Sequence, residues 1–402
     1  MAKLNIDEKK TILFSAISHG YVHFYMTIFT ATNVVMAKDF GVSLTKIGDV
    51  GFISLLLFGF GALTAGFLIN RINARNSILI SVGGGALFCL LTAFAPNVIF
   101  LTIGLAAMGA SGSIYHPAGL TLVANTVRSR GRGLALHGIG GTLGLAIAPM
   151  IAGFITESIG WRWAYGLLAI PGFIILIFGL LARIKEDVVD GDSLQKNVKR
   201  KKNNKRYAHP LLFVPIVFAM QMCFGLFFTG TTIFLPAHVS RSIDFESFGM
   251  TGMALGGFYT TISLLAGLGG QVLGGELSER FKLYKLQFFV MLFTVPSIFM
   301  IGLTRNYLLI LSMLLFSVFG FSWQPIGNGL VAYYTPARWR GHVYGISFAL
   351  SFGVGSFASS IAGRVADNFG MNRIFFVMGL IGLTSFIFSI PLWILNKRAE
   401  SD

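Results

Sequence analysis

Along this chain, apolar residues gather in long blocks that polar residues interrupt at regular intervals. Crossing a bilayer takes about 20 apolar residues. On that measure the pattern predicts twelve helices, near 11–35, 48–70, 76–95, 97–123, 133–156, 162–184, 211–237, 247–276, 284–303, 305–333, 341–366 and 371–396. The first block follows a short start of mixed charge, runs past residue 30 and has no small-residue cleavage site behind it, so it reads as a retained span rather than a signal peptide. The one long polar interruption, Arg183 to Pro210, divides the blocks six and six. The expected organisation is an N-terminal half, 1–184, a basic linker, 185–210, and a C-terminal half, 211–402.

The halves repeat each other. Gly66 to Arg75 (GFLINRINAR) returns as Gly275 to Tyr284 (GELSERFKLY), and Tyr115 to Gly119 (YHPAG) as Trp323 to Gly327 (WQPIG). At nearly the same spacing Arg128 to Gly133 matches Pro336 to Gly341, and Glu157 to Gly160 (ESIG) matches Asp367 to Gly370 (DNFG). Two related halves place a substrate site near the midplane between them. Pro117 and Pro325 are expected to interrupt the fourth helix of each half, and paired interruptions point to that site.

Composition agrees with an all-α integral membrane protein. The chain is 54% hydrophobic and 12% charged, with 39 phenylalanines, where soluble domains carry about 25% charge. A net charge of +15 raises nucleic acid as a partner, but placement explains it better. With the N-terminus inside, only Lys38, Lys46, Arg162, Arg241, Arg305, Arg364 and Arg373 of the 31 Lys and Arg fall outside. Positive residues mark the cytoplasmic side, so both termini are expected there, in a multi-pass plasma-membrane protein without nucleic-acid binding. Cys89 and Cys223 lie in separate apolar segments and make neither a disulfide framework nor a metal pattern. No phosphate-binding Gly-Lys-Ser/Thr loop and no nucleophile-and-base spacing occurs, so no enzyme activity, no cofactor and no ATP-driven transport is expected.

The segment Gly66 to Arg75 resembles the loop between helices two and three of the major facilitator superfamily of secondary transporters, Gly-x-Leu-x-Asp-Arg-x-x-x-Arg/Lys, and the resemblance extends over essentially the whole chain. Asn70 stands where the acid is usual, whereas the second copy keeps Glu279 before Arg280. The resemblance implies two pseudo-symmetric six-helix halves that rock about a central cavity formed by helices one, four, seven and ten. It also implies gating by Asn70, Arg71, Arg75, Glu279 and Arg280. Gly144-x-x-x-Ala148-Pro149-x-x-Ala152-Gly153 resembles the exporter motif of facilitator antiporters. Ser18-His19 and Tyr115-His116-Pro117 resemble elements of the fosmidomycin-resistance-like exporters, with His23 replacing their Asp and Ala118 their Glu.

Of the seven histidines, His19, His23 and His116 lie deepest; His137, His209, His238 and His342 fall at helix ends or in loops. Ser15, His19, His23 and Thr27 share one helical face. The cavity that the resemblance implies would gather them with Tyr25, Tyr115, His116, Gln221, Thr229, Trp323, Gln324 and Asn328. Polar groups at this depth are costly unless they face a cavity or a partner. Three uses compete. Histidine titrates near neutral pH and can carry coupled protons where no buried acid exists. Two imidazoles four apart plus a third can hold a divalent metal, but no carboxylate or thiolate completes the set, and no metal is assigned. A cavity without carboxylates tolerates an anionic or amphiphilic organic solute, the favoured reading. The expectation is a monomeric secondary exporter of a small organic molecule linked to protons; the rival is an importer or exchanger of an anionic metabolite.

Overall fold

The structure, a computed structural model, describes residues 4–182, 184, 186, 210–245, 248–335 and 339–401, with side chains at all of these except 66–70, 130, 131, 210–212, 340, 341 and 398–401. Most of the linker, the Asn70 side chain and His209 lie outside that description. Among the described residues, twelve helices are long and apolar enough to cross a membrane. They are α1 Ile6–Asp39, α2 Leu44–Ile72, α3 Ala74–Ala93, α4 (Val98–Ser113 and Tyr115–Thr126), α5 Arg130–Ile159 and α6 Trp161–Leu181. After the linker come α7 Pro210–Ile233, α8 Gly252–Arg280, α9 Leu283–Leu303, α10 Asn306–Tyr334, α11 and α12 Arg373–Ser401. Helix α11 joins Arg340–Phe348, a π-helical stretch Ala349–Val354, and Phe357–Phe369. Large apolar side chains such as Leu181, Ile174 and Val272 stay exposed on the outside, as a lipid-facing surface requires.

The expected pair of interruptions is not a pair. Helix α4 loses its regularity at Ile114, three residues ahead of Pro117, whereas α10 runs unbroken through Pro325. Proline supplies a helical φ of its own, and a neighbouring helix can satisfy the carbonyl it frees. A proline in a membrane helix therefore does not by itself dictate a break.

Small residues decide which helices touch. Inside the first half, α1 lies against α5 so closely that a Cβ on Gly144 would stand 1.9 Å from the Gly20 carbonyl oxygen. Such contact between backbones is how membrane helices pack without a hydrophobic drive between them. Two seams join the halves, α5 on α8 and α2 on α11. In the second seam a Cβ on Gly59 would stand 2.2 Å from the Gly353 nitrogen.

At the face opposite the linker an acid closes each seam. Glu157, at the end of α5, accepts the Met253 N–H (2.9 Å) in the first turn of α8. Asp367, at the end of α11, accepts the Leu44 N–H (3.0 Å), the Thr45 N–H (2.6 Å) and the Thr45 hydroxyl (2.6 Å) in the first turn of α2. Helix starts expose unpaired N–H groups and partial positive charge. Both acids thus cap a helix of the other half, and they are the repeated acids of ESIG and DNFG.

Candidate functional site

A cavity of about 110 Å³ lies between the halves. Helix α1 contributes His23, Tyr25, Met26, Thr27 and Thr30, α7 Phe228, Thr229 and Thr232, and α8 Thr260 and Leu264. The remaining wall comes from α2, α4, α5 and α11 through Phe58, Met108, Leu145, Pro149 and Phe352. Among the described residues its lining contains hydroxyls, aromatic rings and one histidine, with no Asp, Glu, Lys or Arg.

Behind His23 lie the other deep histidines. The ring centres of His19, His23 and His116 are 4.9, 5.1 and 5.2 Å apart, nearly an equilateral triangle. The helical spacing of four puts the first two on one face of α1, and the turn at Ile114 in α4 presents His116 to them. The His19 Nδ1 stands 2.9 Å from the His137 carbonyl oxygen. A carbonyl only accepts, so Nδ1 carries the hydrogen and Nε2 keeps a bare lone pair. His137 stacks on the same ring at 4.2 Å, while Tyr115 stacks on it at 5.2 Å. Ser15 bonds the His137 Nδ1 at 2.7 Å, and the Tyr115 hydroxyl donates to the Ser15 carbonyl. From the second half, Phe348 and Phe352 reach His116 at 4.9 and 6.3 Å. The π-helical stretch of α11 sits just where those two rings are aimed.

The polar face of α1 thus splits: His23 and Thr27 line the cavity, whereas Ser15 and His19 turn into the α1–α5 contact. Among the other residues expected at the site, Tyr25, Thr229 and Pro149 reach the cavity wall. Others stand elsewhere. Trp323 is buried in the second half, stacked on Phe224 at 4.3 Å, and Gln324 accepts from Gln271 at 3.4 Å. Gln221 accepts the Ser351 hydroxyl at 2.9 Å, between α7 and α11, and Asn328 is exposed.

The expected gating residues also separate. Arg75 holds the Gly179 and Leu180 carbonyls at the end of α6 (2.8 and 3.2 Å), and Glu186 accepts the Ala74 and Arg75 N–H groups. Arg280 pairs with Glu276 at 2.5 Å on an exposed helix face, while Arg71 and Glu279 stand exposed. Sequence reasoning did not assign His137, Glu157 or Asp367 to a role. The signal for the acids was the ESIG and DNFG repeat; for His137, which lies nearer a helix end, no sequence signal is evident.

The family model described as Major Facilitator Superfamily matches residues 13–360. The uncharacterized MFS-type transporter YhcA of Bacillus subtilis is 30% identical over 154 residues, 37% of this chain and 29% of that protein. The multidrug resistance protein B homolog of Mycobacterium tuberculosis is 25% identical over 165 residues, 40% of this chain and 31% of that protein. In each case the match spans under two thirds of the relative. Among solved structures, a D-xylose-proton symporter superposes with a TM-score of 0.78 at 16% identity, covering 95% of this chain and 97% of that one. The xylose transporter XylE from E. coli, inward open, gives 0.75 at 16% identity, with 95% of both chains covered. These likenesses show the fold.

Proposed function

The chain belongs to the major facilitator superfamily, and on that premise we propose that it is a secondary transporter that moves a small organic molecule by alternating access, exporting it in exchange for protons. The observation that carries the reading is the cavity between the halves, walled among the described residues by apolar, aromatic and hydroxyl side chains with no charged group. Pockets of this composition take uncharged or weakly charged organic solutes, with a few polar groups fixing orientation. A fixed carboxylate would have favoured cations. The direction draws on the multidrug resistance relative, and the proton link on the proton symporter of the same fold. The domains are read as 1–184 and 211–402, rocking about the two seams on either side of the basic linker. Both termini are placed in the cytoplasm, because that side then carries most of the Lys and Arg.

Import or exchange of an anionic metabolite is the second reading, favoured by the same absence of carboxylates. Flux of a panel of hydrophobic drugs, sugars and organic acids in proteoliposomes, with and without an imposed pH gradient, separates the two. Gradient-driven accumulation of an uncharged solute against its own gradient is expected. Transport confined to organic anions and blind to the gradient would overturn the export reading.

A further inference from the structure

We propose that His19, His23 and His116 form a binding site for one divalent transition-metal ion, with a coordination position left open toward the cavity. The first argument is spacing. An imidazole nitrogen binds zinc-like ions at about 2.0–2.1 Å, which sets each ring centre about 3.2 Å from the metal. Three such rings at tetrahedral angles have centres about 5.2 Å apart. The observed separations are 4.9, 5.1 and 5.2 Å. One ligand nitrogen from each ring can be chosen so that all three lie within 4.8 Å of one another. Tetrahedral contact asks for about 3.4 Å, a gap that tilting His23 and His116 about their side-chain torsions closes while His19 stays in place.

The second argument is hydrogen bonding. The Nε2 atoms of His19 and His116 are buried and have no hydrogen-bond partner among the described residues. An unpaired buried polar atom is expensive, and each one in a folded protein calls for an explanation. At His19 the reason is visible, because the His137 carbonyl holds the hydrogen on Nδ1 and leaves Nε2 as the free lone pair. A backbone carbonyl fixing the far nitrogen is the usual support of a metal-binding histidine. His137 and Tyr115, stacked on His19, keep that ring from turning.

The third argument is access. His23 lines the cavity, so its side of the triangle faces the transport path. Three protein ligands with the fourth place open is the arrangement of zinc sites that exchange a ligand. That place would take water or a donor group of the transported solute. Neutral imidazoles alone favour zinc, copper, nickel and cobalt over magnesium and calcium.

The site rests on the three rings and not on the direction or coupling of transport, so binding and flux are measured separately. Co²⁺ is titrated into the purified, tag-free full chain in detergent, and the visible absorption of tetrahedral cobalt is followed. One Co²⁺ per chain, displaced by Zn²⁺, is expected. His19→Ala and His116→Ala should each abolish the signal, and His23→Ala should weaken binding at least tenfold. His238→Ala, whose ring instead meets the Ile301 carbonyl, should leave it unchanged. Size-exclusion and thermal melting check that each variant folds. Where an alanine variant does not fold, His23→Gln at the cavity wall gives the same reading. Absence of a cobalt signal in the wild type, or a signal that survives in folded His19→Ala and His116→Ala, overturns the proposal. Intact binding with no flux would overturn the transport reading alone.

Discussion

His238 shows what a buried ring does when its place is structural. It lies in the short helix Leu235–Ser242 after α7, with Nε2 2.9 Å from the Ile301 carbonyl and its ring 4.5 Å from Phe375. Burial lowers its pKa from 6.5 to about 4; Arg241 and Arg305 push the same way and the carbonyl opposes them. The unfolded ring gains a proton near 6.5 and the folded one only near 4. The unfolded state therefore binds more protons across that window, and stability falls as pH drops through it. The full gap corresponds to about 3 kcal/mol. Melting temperatures between pH 7.5 and 4 should fall less steeply for His238→Gln than for the wild type; equal slopes would contradict this. At the same scale, the sequence made the triangle of His19, His23 and His116 legible through helical spacing. It could not reveal the support beneath it, because His137 enters through a backbone carbonyl and a ring stack between helices, and neither leaves a mark in local spacing.

Helices bring a different kind of information. Their number and approximate limits were legible because the length of an apolar run is a local property that the bilayer thickness measures. Their rotation was not legible, since a helix that is apolar all round gives no preferred face. Helix α10 is the clearest case: Trp323, Gln324 and Asn328 were expected at the cavity, but Trp323 turns onto Phe224 and Asn328 to the surface. The wall is instead completed by α2, α5, α8 and α11, with residues such as Phe58, Leu145 and Leu264 that no composition signal separates from lipid-facing ones. The two acidic caps are likewise properties of element ends. Each cap is worth about 1 kcal/mol, enough to shift a two-state equilibrium several-fold. Glu157→Ala and Asp367→Ala should each favour opening at the face opposite the linker. Ser359, fully buried and donating to the Gly48 carbonyl of α2 at 2.8 Å, offers a probe there. A cysteine at that position should react with an impermeant maleimide several times faster in either cap variant, and an unchanged rate would show that the caps do not hold that face shut.

For the molecule as a whole, the twelve apolar blocks and the resemblance of Gly66 to Arg75 anticipated the fold and the family. They could not define the cavity, whose walls belong to both halves at once. Phe58 and Phe352 meet across α2 and α11 at 5.5 Å, and Asn33 of α1 donates to the Ile233 carbonyl of α7 at 2.7 Å. Contacts of this kind exist only in the assembled state. The central claim is that solute passes through this cavity, and filling it is the direct test. Thr229 is half-buried in the cavity wall, and Thr229→Trp places an indole in a space of about 110 Å³. The measurement is counterflow, in proteoliposomes, of the fastest solute in the flux panel. The wild type should exchange it, while Thr229→Trp, with a melting temperature close to that of the wild type, should not. Exchange by the folded Thr229→Trp variant at the wild-type rate would contradict the account.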